Sequence, residues 1–309
     1  MEYRELSGIR VSRLCFGSLT FSQARTPAET ATEILLKAYR SGVNFIDTAQ
    51  FYDNYELLRD FLSVARDMVI ASKTYAHTAD GARKAVEQAR AALNRDVIDI
   101  FLLHEQESEH TLRGHLPALE MLYTLKARGV IRAAGLSTHH VAAVRAAADW
   151  GLDVVHPIIN LTGFGIADGT REDMEAAIRA ARAAGVGVYG MKALGGGNLF
   201  SRARECLDYV LSLDSLDSIA IGMRDAAEVE ANTRFFETGA FAEEHRLRIE
   251  SLERRLHIED WCAACGKCVT VCKSGALLVN NGILRCNADK CRLCGYCGQA
   301  CENLCIKII

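Results

Sequence analysis

The sequence predicts an α/β protein: a closed (β/α)8 TIM barrel followed by a small, cysteine-rich α+β domain. Three observations lead there. Residues 1–240 alternate short apolar runs with longer helical patterns, eight times over. Fully buried parallel strands read as continuous apolar runs of this kind. Ten of the twelve cysteines then fall after residue 261, so the chemistry of the chain changes abruptly. A doubly wound open sheet would give the same periodicity and stays open as an alternative at this point.

The eight runs are Val11–Phe16, Asn44–Asp47, Val69–Lys73, Ile98–His104, Ile131–Ser137, Val154–Ile159, Val186–Met191 and Ser218–Ile221. Helix starts lie between them. Thr26-Pro27-Ala28-Glu29 reads as a capping box with proline at the first helical position. Thr170–Asp173 and Asp225–Glu228 read as further starts. Gly42, Gly129, Gly151 and Gly185 each stand between a helical stretch and a strand, where helix-stopping glycines belong. Phe241–Leu256 reads as one more charged helix, and His257–Trp261 as the junction to the tail. No long Gly/Ser/Pro linker separates the two modules, so they are expected to dock. The expected organisation is a barrel over 1–240, a connection over 241–261 and a cysteine-rich domain over 262–309.

Half of the residues are hydrophobic and the net charge is −3. Such a chain can bury a full-size core. Its bulk charge gives no reason to expect nucleic acid or a membrane as partner. The N-terminal MEYRELSGIR lacks the apolar segment of a signal peptide, and no apolar run is long enough to cross a bilayer. A cytoplasmic protein is the expectation.

The tail carries C-x-x-C-x-x-C-x-x-x-C twice, at Cys262, Cys265, Cys268 and Cys272 and at Cys291, Cys294, Cys297 and Cys301, offset by 29 residues. Tightly spaced cytosolic cysteines read as metal ligands rather than disulfides. Residues 262–309 resemble the bacterial ferredoxin that binds two [4Fe–4S] clusters, which implies a ferredoxin-like fold. In that pattern three cysteines of one run hold a cubane and the fourth reaches the other cluster. One cluster would take Cys262, Cys265, Cys268 and Cys301; the second would take Cys291, Cys294, Cys297 and Cys272. Structural zinc is the competing reading. The resembled pattern places proline after each fourth cysteine, where this chain has Lys273 and Glu302. Cys286 and Cys305 are surplus and read as small buried hydrophobes. The tail has an excess of four positive charges; this would offset the charge of two oxidised clusters, or would mark a basic binding patch.

Four polar residues fall at or just beyond the second, third and fourth strand ends: Asp47 and Tyr52 in D-T-A-Q-F-Y, Lys73 in I-A-S-K and His104 in F-L-L-H. Strand ends deliver side chains to the face where barrel active sites sit. Here the chain resembles the aldo-keto reductase superfamily, from about Tyr3 to Phe236. The resemblance implies a catalytic Asp–Tyr–Lys–His tetrad and an aldehyde, ketone or sugar substrate. Carbonyl reduction needs a hydride on carbon and a proton on oxygen. Tyr52 would be the acid. Lys73, held by Asp47, would lower its pKa, and His104 would orient the substrate oxygen. Taken singly, Asp47 could cap a turn, Tyr52 line a rim, Lys73 be solvated and His104 be a satisfied core histidine.

The same resemblance implies extended NADPH or NADH bound at the later strand ends. Ser137 and Asn160 match positions facing the nicotinamide amide, although Ser137 could instead cap a helix; a third such contact falls at His156, where relatives carry glutamine. Met191 stands where many relatives stack an aromatic ring. Lys192 and the run Gly195, Gly196, Gly197 would meet the pyrophosphate, unless the run is simply a flexible loop. Arg224, Glu228 and Asn232 match an adenosine-phosphate motif. Arg224 favours NADPH, and the charge of Glu228 argues against it unless Glu228 completes a capping box with Asp225.

Three functions follow. The first is an NADPH-dependent carbonyl reductase with clusters that pass electrons. The second is a ferredoxin-type reductase whose clusters, fed by a redox partner protein, supply the electrons. The third is non-enzymatic, with structural clusters and a docking or sensing tail. Hydride carries two electrons and each cluster one; a flavin would bridge that gap, and the sequence shows no flavin motif.

Overall fold

A computed structural model describes residues 1–243 and 254–309. Eight parallel strands close a barrel: β3 (Leu14–Gly17), β4 (Phe45–Asp47), β5 (Val69–Thr74), β6 (Ile98–Leu103), β7 (Ile131–Thr138), β8 (Val154–Pro157), β9 (Gly187–Met191) and β10 (Ser218–Ile221). Strand β10 pairs back onto β3, which excludes the open sheet. The first predicted run is divided. β1 (Tyr3–Leu6) and β2 (Ile9–Ser12) form a hairpin outside the barrel, and only Leu14–Gly17 enters it. Leu6, Ile9 and Val11 of this hairpin pack with Phe45 and Tyr189 inside the barrel and plug one end. The other end, at the strand C-termini, is left for function.

The helix starts illustrate what local sequence can and cannot fix. Thr170 caps Arg171–Ala183 with a reciprocal box to Asp173. Asp225 caps Ala226–Thr238 by accepting from the Ala227 and Glu228 amides. Thr26 makes no cap: Pro27 precedes Ala28–Arg40, whose first turn has no side-chain acceptor. Glu228 does not complete a box, because its carboxylate accepts from the Arg224 amide instead.

The tail contains two antiparallel pairs, β11 (Leu256–Ile258) with β14 (Ile306–Ile308) and β12 (Leu277–Asn280) with β13 (Ile283–Cys286). Strand β11 takes the last residue of the expected helix, Leu256, and the first two of the expected junction. Most of that helix, residues 244–253, lies outside the described residues. The sequence repeat is also a structural one. The Ala276 amide donates to Cys272 Sγ, and the Cys305 amide, 29 residues on, donates to Cys301 Sγ, both at 3.3 Å. Short helices at Lys267–Val271 and Tyr296–Gln299 each follow a left-handed glycine, Gly266 and Gly295.

The modules dock, as the missing linker led us to expect. Asn198 Nδ2 donates to the Ile306 carbonyl at 3.0 Å, and Gln23 Nε2 donates to Glu259 at 2.7 Å. Gly197 has φ +83°, and a Cβ there would stand 2.0 Å from the Ile308 carbonyl oxygen. Only glycine admits the tail so closely. No described helix is long and apolar enough to cross a membrane.

Candidate active site

The strand ends bring Asp47, Tyr52, Lys73 and His104 together. Lys73 Nζ donates to Asp47 Oδ2 at 2.7 Å and to the Thr48 carbonyl at 2.8 Å. Both side chains are buried, 1 % and 4 % exposed, so the pair is held in low dielectric. Tyr52 sits in the turn Gln50–Tyr52, with the Lys73 ammonium 5.1 Å from its ring centre. The His104 ring stands 5.8 Å from the Tyr52 ring, nearly perpendicular to it.

The electrostatics correct one expectation. Tyr52 is pushed well above the ordinary tyrosine range, by burial first and then by Asp47 and Glu105. The Lys73 ammonium, 5.1 Å from the ring centre, is offset by Asp47 at contact distance, and the net shift is upward. Tyr52 therefore holds its proton at neutral pH. His104 is pushed well below the ordinary histidine range, by burial and then by Lys73, so it is neutral. Its Nδ1 is buried without a partner among the described residues.

A cavity of about 520 Å³ opens from this constellation. Asp47, Tyr52 and His156 form its inner end; Arg224, Glu228 and Asn232 line it further out. Met191, Lys192, Gly196 and Gly197 also line it, and so do Arg254, Lys307 and Ile308. The cleft is therefore walled by the tail as well as by the barrel.

The residues expected at the cofactor divide accordingly. Ser137 caps no helix: it is buried in β7, where its hydroxyl accepts the Glu105 amide at 3.0 Å. Asn160 folds its own loop, donating to the Phe164 carbonyl at 2.8 Å and accepting from the Phe164 amide. Neither lines the cavity, because each satisfies buried backbone groups first. Gly195 is buried beneath its loop. Gly196 and Gly197 face the cavity, but the tail packs on them closely.

The fold and site can now be compared with known proteins. A profile of the Aldo/keto reductase family matches residues 13–205. The chain belongs to the aldo/keto reductase family. Within the curated relatives it is 30% identical over 158 residues to the 6-dehydroglucose reductase of Novosphingobium aromaticivorans, covering 44% of this chain and 51% of that one. It is 32% identical over 111 residues to the methylglyoxal reductase DkgA of Yersinia pestis, covering 34% and 39% respectively. The matches thus span about half of those relatives or less. The aldo-keto reductase AKR11C1 from Bacillus halodurans, in its holo form, superposes with a TM-score of 0.67 at 20% identity, over 81% of this chain and 95% of that one. At that identity the likeness shows the fold alone.

Against the family frame, three features were not found from sequence. Tyr189, on β9, donates its hydroxyl to Asp47 Oδ1 at 2.9 Å and stacks on His156 at 3.8 Å. His156 gives its Nδ1 to the Tyr189 carbonyl at 2.6 Å. Burial lowers its pKa to about 4, so it faces Asp47 as a neutral ring. Arg254 pairs with Glu228 at 3.2 Å, as Arg224 does, and lies 3.5 Å above the Phe200 ring. Trp261, Phe51 and Tyr75 form an aromatic series ending on His104. Their centroid steps are 6.1, 5.9 and 4.5 Å.

In the tail, thiols of both runs share one apolar cluster. Burial raises the Cys268 pKa, and the neighbouring thiols Cys301, Cys262 and Cys265 add to it. Cys297 is raised by burial and by Cys291, Cys294 and Cys268. Cys301 thus acts on a thiol of the first run, and Cys272 acts with Cys291 and Cys297 on Cys286. Cys286 and Cys305 stand among these thiols rather than in a separate core. Among the described residues, no three His, Cys, Asp or Glu side chains are grouped to hold a single metal ion.

Proposed function

We propose that the chain is an NADPH-dependent reductase of an aldehyde or ketone whose tail holds two [4Fe–4S] clusters. The observation that carries the reductase reading is the convergence of Tyr52 and His104 on the Lys73–Asp47 pair, at the inner end of a cavity that runs to Arg224. Bound NADPH would supply a hydride. Tyr52, kept protonated by burial, gives its proton to the carbonyl oxygen as negative charge develops there. Neutral His104 orients that oxygen. Lys73 and Asp47 fix the field around Tyr52, and Tyr189 holds Asp47 in place.

The far end of the cleft favours NADPH over NADH. Glu228 alone would repel a 2′-phosphate, yet it lies between the guanidinium groups of Arg224 and Arg254. Two guanidinium groups thus share the one Glu228 carboxylate, and guanidinium groups suit phosphate oxygens.

The repeated motif, with Cys301 acting on Cys268 and Cys272 acting with Cys291 and Cys297 on Cys286, supports two cubanes with exchanged fourth ligands, Cys301 to the first and Cys272 to the second. The paired amide donors to Cys272 and Cys301 suit thiolates, since hydrogen bonds to cluster sulfurs tune their potentials. All twelve cysteines are free, which fits a reducing cytoplasmic setting. Cys265 and Cys294 are exposed and offer an edge to a redox partner protein.

One observation favours the second reading, in which clusters supply electrons to the barrel. Trp261 directly precedes Cys262, and the aromatic series from it ends on His104. The test is anaerobic purification and mixing. About eight iron and eight sulfide per chain are expected, the content of two four-iron cubanes. NADPH oxidation should then depend on added aldehyde. Zinc in place of iron removes both cluster readings. Cluster bleaching by a low-potential donor, followed by substrate reduction without NADPH, would replace the first reading with the second.

A further inference from the structure

Six cations line or border the cavity, and five of them face a carboxylate. Lys73 pairs with Asp47, Lys307 with Glu259, Arg204 with Asp208, and Arg224 and Arg254 with Glu228. Lys192 differs. Its Nζ bonds His139 Nε2 at 2.8 Å, and no carboxylate lies within ion-pair distance among the described residues. His139 is itself held neutral, by burial and then by Lys192. An ammonium at a cavity wall with only a neutral partner is a site short of one anion.

Its position says which anion. Lys192 follows β9 in a left-handed conformation, φ +59°. Strain of this kind persists where surrounding contacts over-determine it. The side chain crosses the barrel mouth to His139, just beyond β7, and its charge acts on His104. Lys192 lines the same cavity as Asp47, Tyr52 and His156. The buried, unpartnered His104 Nδ1 marks the same end as lacking a polar partner. Burial and the like charge of Lys307 lower the Lys192 pKa to about 7, the response of a cation awaiting a counterion.

We propose that Lys192, steadied by His139, binds a carboxylate on the substrate, so that the preferred class is aldehyde or keto acids. This deepens the reductase reading and rests on it. The same oxyanion chemistry could come from the cofactor's diphosphate, and the test separates the two sources. Glyoxylate and 4-formylbenzoate, each against its methyl ester, are titrated into the full chain with NADP+ present, followed by calorimetry. Each acid should bind about tenfold tighter than its ester or more, the worth of a hydrogen-bonded charge. In Lys192→Gln that ratio should fall to about one, and Lys192→Arg should recover part of it. Equal binding of acid and ester by the natural chain overturns the proposal. So does a Lys192→Gln protein that loses NADP+ affinity but keeps the ratio, which assigns Lys192 to the diphosphate. Because the readout is binding, a barrel that selects the acids yet never turns them over upholds the anion site and overturns only the reductase reading.

Discussion

The Tyr189 hydroxyl donates to Asp47 Oδ1 at 2.9 Å, on the opposite carboxylate oxygen from the one that holds Lys73. The Lys73–Asp47 pair is thus anchored from across the barrel. Tyr189→Phe should cost about 1.5–3 kcal/mol, the value of a hydrogen bond to a charged group. Thermal unfolding would show the loss. A positioning role also predicts that the pH profile of kcat/KM shifts at its basic limb; an unchanged profile would leave Tyr189 a purely structural residue.

The direction of two pKa shifts fixes the pH dependence with a neutral aldehyde. Tyr52 is raised and must be protonated to act; His104 is lowered and must be neutral. Reduction should hold steady between about pH 6.5 and 10, the unperturbed values of the two groups. A fall centred inside that interval contradicts these assignments.

With a carboxylate-bearing aldehyde the profile should differ. Lys192 binds an anion only while protonated, so kcat/KM should decline as pH rises through about 7. The groups around Lys192 are His139, Lys307, Glu259, Glu105, Lys73, His104 and His156. Of these, His139 is already neutral at the acid end. Identical profiles for acid and ester substrates would argue against this.

Arg254 neutralises Glu228 rather than acting alone. Arg254→Gln should raise the NADPH Kd about tenfold, or ~1.4 kcal/mol, with little effect on NADH. Adding Glu228→Gln in the same chain should restore NADPH binding. Fluorescence titration measures both. Failure of the second change to rescue the first would separate the two residues.

Gly197→Ala places a Cβ against the Ile308 carbonyl in a left-handed backbone. The cost should be ~1–3 kcal/mol, paid by undocking β14. Hydrogen exchange at residues 306–309 should quicken. Unaltered exchange would show that the loop relaxes without releasing the tail.

The tetrad was legible because strand ends are visible as the ends of apolar runs, and Asp47, Lys73 and His104 close three of them. Tyr189 was hidden inside such a run. Its inward direction depends on barrel register, which local sequence does not state, although a lone tyrosine among the small residues of β9 was a signal. Ser137 and Asn160 stand outside the cavity lining, because the resemblance gives a position but not the competing backbone groups that occupy it. The glycines after β9 were read as a nucleotide loop; their close neighbour is the tail strand, a contact between residues more than a hundred apart. Arg254 escaped because it lies beyond the matched family segment.

The central claim is that Tyr52 delivers a proton while a nicotinamide hydride reaches the carbonyl carbon. The most direct test uses NADPH deuterated at the transferring C4 position with 4-formylbenzoate, in the natural chain and in Tyr52→Phe. The account predicts deuterium on the alcohol carbon and a fall of roughly 10²–10⁴-fold in kcat for the variant. Alcohol formed without deuterium, or a Tyr52→Phe protein as fast as the natural one, would contradict it.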